Sequence, residues 1–319
     1  MAKRTSTHRS QARFNARVLP GAEPAPFPGF IEPQLATLRR GVPTGEDWLH
    51  EIKFDGYRIQ GHLIEGRPAL ITRNGHDWTH RMPALAEALA RVPANHLIAD
   101  GEIIVPDSKG RSDHDALKEA LGAGGQSHRF AYYLFDLMHL DGFDIRAAPL
   151  MDRKHVLKGL LDGIGPPIMF SDHMEATGQK MFEHACVMGL EGVISKRADA
   201  PYQSGRSEDW IKVKCVMRGT FTVVGYTPEG NGLVAALHLA RKEGRELTYV
   251  GKVGTGWSMA QSAKLRQRLE AIEVDRPPVA VPGRPRKAIW VQPRFKADVE
   301  YRDITNAGLL RHSVWKGSA

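Results

Sequence analysis

The sequence predicts an α+β domain followed by a small all-β domain, and three features of the 319-residue chain carry that prediction. Through about residue 216, short apolar strands alternate with segments of helical spacing. From Phe221 on, β-branched strands dominate, interrupted by one helix over 259–272. Proline-rich stretches at 21–28 and 277–285 read as a linker and a loop. The expected division is a basic, proline-rich arm over 1–29, a first domain over 30–216 and a second over 217–319.

Within the first domain, Glu51-Ile52-Lys53-Phe54-Asp55-Gly56-Tyr57-Arg58 reads as a short strand. Ile52 and Phe54 point one way and Glu51, Lys53 and Asp55 the other. A strand over 67–75 ends at an Asn-Gly turn, which puts Arg73 at a strand end. Residues 82–92 have helical spacing, with Leu85, Leu89 and Val92 on one side. The strand over 97–105 is interrupted by Asp100 and Glu102 on one face. Burying both without partners is costly, so a pocket is the economical reading. A helix over 113–121 leads to Gly122-Ala123-Gly124-Gly125, which lacks the lysine and helix start of a P-loop.

The strand over 130–137 is rich in aromatic rings, most of them assigned to the core. Helices over 152–161 and 178–188 precede a turn and strand over 189–196 with Glu191 at its mouth. After a loop over 202–209, Trp210-Ile211-Lys212-Val213-Lys214 places Lys212 and Lys214 on one face. In the second domain, strands over 221–226, 233–239, 247–253 and 289–301 suggest a small barrel of the oligonucleotide-binding (OB) type. An SH3-like barrel or a small sandwich fits the same pattern.

A 42% hydrophobic and 25% charged composition is that of a folded chain, and the net charge of +8 favours a polyanionic partner such as nucleic acid. Cys186 and Cys215 alone exclude a disulfide framework and a cysteine-based zinc module, and suit a reducing cytoplasm. The histidines show no paired metal-ligand spacing. No run approaches the ~18 apolar residues of a membrane span. Residues 1–20 carry Lys3, Arg4, Arg9, Arg13 and Arg17 and no acid. That composition fits an organellar transit peptide as well as a basic arm that grips phosphates, and it lacks the apolar segment of a secretory signal. No exposed apolar helix face stands out, so a monomer is expected.

The polar strand faces Glu51/Lys53/Asp55, Asp100/Glu102, Glu191/Lys196 and Lys212/Lys214 make sense together as a site for phosphoryl chemistry. A lysine becomes a nucleophile when cations or desolvation lower its pKa. Neighbouring lysines neutralise charge building on phosphates, and carboxylates hold a divalent metal that does the same.

Lys53-Phe54-Asp55-Gly56-Tyr57-Arg58 resembles the adenylation motif of covalent nucleotidyltransferases, which include the ATP-dependent DNA ligases, RNA ligases and capping enzymes. Asp100-Gly101-Glu102, Phe135-Asp136-Leu137, Glu191-Gly192-Val193-Ile194-Ser195-Lys196 and Trp210-Ile211-Lys212-Val213-Lys214 match later motifs in order. More finely, the chain resembles the ligase domain of bacterial DNA ligase D. Phe30-Ile31-Glu32-Pro33-Gln34-Leu35, Trp48-Leu49-His50-Glu51-Ile52-Lys53 and Leu310-Arg311-His312 carry that likeness, which covers nearly everything from Phe30 on.

The resemblance implies an adenylation domain of mostly antiparallel sheets with flanking helices, then an OB-fold barrel. It implies ATP with Mg2+ or Mn2+, and a nicked or broken duplex DNA as substrate in end-joining repair. Ku or another end-joining protein is the candidate partner. Lys53 would attack the α-phosphate to give lysyl-AMP. Glu51 and Ile52 would line the nucleotide site, with Glu51 near the adenine and Phe135 stacked on it. Glu102 would bind the ribose and, with Glu191, the metal. Arg58 and Arg73 would reach ribose or phosphate, Lys212 and Lys214 the α-phosphate, and Arg206 the nucleotide.

Two departures accompany the likeness. The family's last motif, which orients pyrophosphate, is incomplete after His312, with Arg311 and Lys316 as partial substitutes. The polymerase and phosphoesterase modules often fused to ligase D have no room in 319 residues, so the chain reads as a stand-alone ligase or an excised part. An NAD-dependent ligase would bring a four-cysteine zinc module that two cysteines cannot build. An RNA ligase or capping-type enzyme, and a DNA-end-binding protein with an inactive pocket, stay as alternatives.

Overall fold

The computed structural model describes residues 16–122, 129–175, 177–244, 246–283, 287–305 and 307–318. Lys3, Arg4, Arg9 and Arg13 of the basic arm, and Ala123 to Gly125 of the glycine loop, lie outside the described residues. The chain divides into two compact units, Met1–Lys214 and Cys215–Ala319.

The first unit runs β1 (Gln34–Leu38), β2 (Trp48–Ile52), β3 (Tyr57–Ile64), β4 (Arg67–Thr72), α1 (Pro83–Leu89), β5 (His96–Ile104) and α2 (His114–Ala120). It continues through β6 (Ala131–Leu140), α3 (Leu150–Leu160), β7 (Ile168–Phe170), α4 (Gly178–Val187), β8 (Gly192–Arg197) and β9 (Gly205–Lys214). One sheet has the order β6-β5-β3-β4, extended beyond β6 by Phe143–Asp144 and Glu23–Pro24, with β7 parallel to β6. The other has Met174–Glu175, β2, β8, β9 and β1 in that order, with β9 and β1 parallel. All remaining pairings are antiparallel. The main core lies on the first sheet, where Ile59, Leu63, Leu97, Ile103, Tyr132 and Leu134 meet Leu85 and Leu89 of α1.

The segment 51–58 is not one strand, which corrects the alternation expected from sequence. It leaves one sheet at Ile52 and joins the other at Tyr57. Lys53 still donates its amide to Gly192 O at 2.9 Å. Asp55 N donates instead to Ser112 Oγ (3.2 Å) and Gly56 N to Glu102 Oε1 (3.1 Å), so the backbone changes partners within three residues. Ile52 therefore packs with Met181, Ala185 and Val193, while Phe54 stacks on Tyr133 of β6 at 4.1 Å. Gly56 is required at the crossing, because a Cβ there would overlap the Ile103 carbonyl.

Residues 21–28 are not a free linker either. Glu23–Pro24 pairs with Phe143–Asp144, and the Phe27 ring sits edge-on to His62 and His139 at 5.5 Å each. Part of the expected 202–209 loop belongs to β9, which starts at Gly205. Cys186 and Cys215 are both disulfide-bonded, where the sequence reading expected no disulfide framework. No helix among the described residues is long and apolar enough to cross a membrane.

The second unit contains β10 (Met217–Glu229), β11 (Leu233–Glu243), β12 (Glu246–Val253), α5 (Met259–Glu270), β13 (Ile289–Tyr301) and β14 (Val314–Ser318). Its sheet has the order β12-β11-β10-β13, flanked by Glu273–Val274 on β13, with β14 also paired to β13; this path stays open. Val223, Leu237, Leu239, Val253 and Val291 form the core under Leu265 and Leu269 of α5. Ser258 and Gln261 close a reciprocal capping box at the start of α5, which satisfies two otherwise orphaned amides. A bulge lies at Gly225, where a Cβ would come within 2.7 Å of the Trp290 ring.

The helix α3 carries an unusual pair: Arg153 and Lys154 are 0% and 1% exposed. Arg153 donates twice to Asp136 of β6 (2.8 and 3.0 Å) and also to the carbonyls of Ala148 and Ala200. Replacing Arg153 with Met strands a fully buried carboxylate, and urea unfolding is expected to show a loss of ~3–5 kcal/mol. Adding Asp136→Leu should recover part of that loss, because the stranded charge is then removed.

Candidate active site

Lys53 stands where the chain crosses between the sheets, and its side chain is 17% exposed. Its Nζ donates to Glu191 Oε2. The other Glu191 oxygen pairs with Lys214 Nζ at 2.9 Å, so one carboxylate at the start of β8 holds two lysines. Register explains the convergence: Ile194 of β8 faces both Glu51 of β2 and Lys212 of β9. Burial first, and then the charges of Arg206, Lys53, Lys214 and Arg73, lower the Lys212 pKa. Cations from Lys53 to Lys214 in the sequence thus act on one ammonium group. Arg73, Arg206 and Lys214 are the exposed members of this group, and Arg206 also donates to Ala36 O at 2.8 Å.

Glu102 of β5 faces the same group. Desolvation pushes its carboxyl up to about 7 against the pull of Lys53, Arg58 and the Gly56 amide, and repulsion from Glu191 adds to the rise. No cluster of three or more His, Cys, Asp or Glu side chains able to hold a metal occurs among the described residues.

Arg58 does not hang free toward a ligand. Its guanidinium forks onto fully buried Asp100 (3.0 and 2.6 Å) and donates to Gln34 O at 2.6 Å. Tyr202 OH donates to Asp100 as well, at 2.8 Å. Arg58 and Lys196 both lie against the Phe135 and Trp210 rings, Arg58 at 5.4 Å from each and Lys196 at 4.2 and 4.3 Å. Phe135 and Tyr133 share one face of β6 by strand alternation, and both are only half-buried, unlike Leu134 between them.

Glu51 is 2% exposed and its carboxylate is fully used. Lys154 Nζ donates to Oε1 at 2.7 Å, while Lys196 Nζ (2.9 Å) and Ser171 Oγ (3.3 Å) donate to Oε2. Burial alone would raise this carboxyl; the charges and hydrogen bonds of Lys154 and Lys196 more than offset it and hold it below the ordinary range. Both Glu51 oxygens accept from protein donors, and Ile52 is turned toward α4.

Sequence reasoning missed Arg153, Lys154 and Tyr133. Two adjacent cations in a helix ordinarily read as a solvated face, and nothing local marks these two as buried. Tyr133 carried a weak signal, since it alternates with Phe135 on one strand face.

The crossing lysine, its carboxylate and the converging cations, set between two mostly antiparallel sheets, form a site suited to a polyanion. A family model described as an ATP dependent DNA ligase domain matches residues 33–214, and one described as an ATP dependent DNA ligase C terminal region matches residues 230–318. The chain belongs to the ATP-dependent DNA ligase family, and its second unit is the OB-fold domain of that family.

Among individual proteins, it is similar to the multifunctional non-homologous end joining protein LigD of Pseudomonas aeruginosa. The two are 39% identical over 324 residues, which cover 96% of this chain and 38% of that protein. Against the crystal structure of the ligase domain of M. tuberculosis LigD, the TM-score is 0.55 at 30% identity, over 90% of this chain and 94% of that one. A mycobacterial DNA ligase D complexed with ATP and MES gives 0.53 at 30% identity, over the same shares. The chain spans 38–40% of the length of the first LigD relatives.

The raised Glu102 pKa makes a signed prediction. Between its ordinary value of 4.5 and about 7, the folded chain keeps a proton that the unfolded chain has lost. The Glu102 contribution to stability is therefore present below pH 4.5 and is lost as pH rises to 7. Urea unfolding at pH 5 and pH 7.5 should show wild type losing on the order of 2 kcal/mol relative to Glu102→Gln.

Proposed function

We propose that this chain is an ATP-dependent DNA ligase that joins 5′-phosphate and 3′-hydroxyl ends in duplex DNA during double-strand break end joining. The observation that carries the reading is Lys53 Nζ held on Glu191 beside Lys212 and Lys214, with Glu102 facing it from the other sheet. A polyphosphate suits that surplus of cations, and a lysine among cations is the residue type that attacks phosphorus.

In the first step Lys53 Nζ attacks the α-phosphorus of ATP, releasing two of its ammonium protons to solvent. The N–P bond forms, the bond to the bridging oxygen breaks, and pyrophosphate leaves. To do this Lys53 must turn away from Glu191, and Lys214 stays to neutralise that carboxylate. Lys212 and Lys214 take the α-phosphate charge as it builds. Phe135 offers its ring to the adenine, and Arg58, fixed by Asp100, stands at the ribose end. In the second step a DNA 5′-phosphate oxygen displaces lysine and takes the AMP. In the third, the neighbouring 3′-hydroxyl attacks that phosphate, loses its proton, and AMP departs.

Glu102 and Glu191 are hard oxygen donors that repel one another, which fits Mg2+ or Mn2+ with phosphate oxygens completing the shell. Such an ion, when bound, supplies further charge neutralisation at the phosphates. An end-joining role brings Ku or a similar end-binding protein as partner, for a monomeric ligase working at cytoplasmic DNA.

Sealing of a labelled, singly nicked duplex tests this, with ATP, NAD and GTP supplied separately. Sealing is expected with ATP alone, and Lys53→Ala should lower it by roughly 10⁴-fold or more. Protein labelled from α-labelled ATP without any sealing would overturn DNA as the acceptor and turn the search to RNA ends. Neither label nor sealing would overturn the enzyme.

A further inference from the structure

Arg153 and Lys154 are consecutive on α3, so their side chains leave the helix about 100° apart. Arg153 reaches Asp136 on β6, in one sheet. Lys154 reaches Glu51 on β2, in the other, and also donates to Ser171 O (2.8 Å) just past β7. One helix thus grips both sheets through two fully buried cations. Glu51 is two residues before Lys53, and Lys53 is the first residue beyond the strand that Glu51 anchors.

Resting on the ligase reading above, we propose that Lys154 is a positioning residue for the nucleophile: through Glu51 it fixes the end of β2, and with it the approach of Lys53 to the α-phosphate. Charge supports this assignment over a purely cohesive role. Lys154 and Lys196 put two buried cations on one carboxylate, when Lys196 alone would neutralise it. Burial, together with the Lys154 charge, lowers Lys196 to about 8 despite the pull of Glu51 and Asp136. The second cation is therefore surplus for charge balance but supplies the only side-chain tie from α3 to Glu51 among the described bonds. Its ammonium also lies 4.6 Å over Phe170, so its position is set on three sides.

Lys154→Met keeps the stem length and leaves Glu51 paired to Lys196, so folding is expected to survive; a melting curve checks it. The test separates two chemical steps. Attack by Lys53 occurs only in enzyme adenylation, whereas sealing of a nick that already carries AMP needs no lysine nucleophile. At saturating ATP, Lys154→Met should slow single-turnover adenylation at least tenfold, with sealing of the pre-adenylated nick within threefold of wild type. Lys154→Arg, which keeps the charge and the donor, should restore part of the adenylation rate. Lys158→Met, which removes an exposed cation one turn along α3, should change neither step.

Equal loss in both steps, or no loss in either, would overturn the proposal. If Lys154→Met does not fold, the Lys154→Arg and Glu51→Gln variants carry the same comparison of steps. Failure of the wild type to adenylate would instead overturn the ligase reading.

Discussion

The Glu51 carboxylate is the constraint on which the first unit depends. A buried anion between two buried ammonium groups is an expensive construction, and apolar residues of the same volume often hold a fold at least as well. Its value therefore lies in geometry. Glu51 sits on β2, Lys196 on the adjacent β8 and Lys154 on α3, and the three meet only if that sheet and the helix take one relative placement. An apolar cluster tolerates sliding; a carboxylate with both oxygens committed does not. Arg153 on Asp136 repeats the device on the neighbouring sheet, from the next residue of the same helix.

That placement matters because the site is assembled from both sheets. Lys53, Glu191, Lys212 and Lys214 come from the sheet containing β2, β8 and β9, while Glu102, Phe135 and Arg58 come from the sheet containing β3, β5 and β6. The stretch from Lys53 to Gly56 is the covalent bridge between them. Its amides are satisfied one by one on different partners, Gly192 O, then Ser112 Oγ, then Glu102 Oε1. The last of these bonds links the backbone beside the nucleophile to a carboxylate of the opposite sheet. A side chain at position 56 would break that arrangement against the Ile103 carbonyl, so the glycine belongs to the crossing and not to an ordinary turn.

Much of this was legible in the chain. The strands over 233–239, 247–253 and 289–301 and the helix at 259–272 match their observed elements within a few residues, because period and β-branching act locally. The polar faces of Asp100/Glu102 and Lys212/Lys214 were also readable, since strand alternation alone puts them on one side. What failed had a common cause. The reading of 51–58 as one strand assumed that alternation continues, but a change of sheet leaves no mark on an eight-residue pattern. Residues 21–28 looked like linker because prolines say nothing about what a ring such as Phe27 will meet. Lys154 and Arg153 were invisible because their partners lie 103 and 17 positions away.

The Glu191 carboxylate shows how such a site can hold its cations together. Lys53, Lys212, Lys214, Arg73 and Arg206 crowd one region, and their mutual repulsion would open it if nothing stood among them. Glu191, with a side chain only 4% exposed, supplies an anion that two of the lysines share. Glu102 adds only partial compensation, because its own proton is half retained near neutral pH. The region thus keeps a net positive charge that a polyanion can complete, while the Glu191 carboxylate holds the Lys53 ammonium in place. A polyanion among these cations and the Glu191 carboxylate would compete for the same lysines, so Glu191 sets how firmly Lys53 and Lys214 are held.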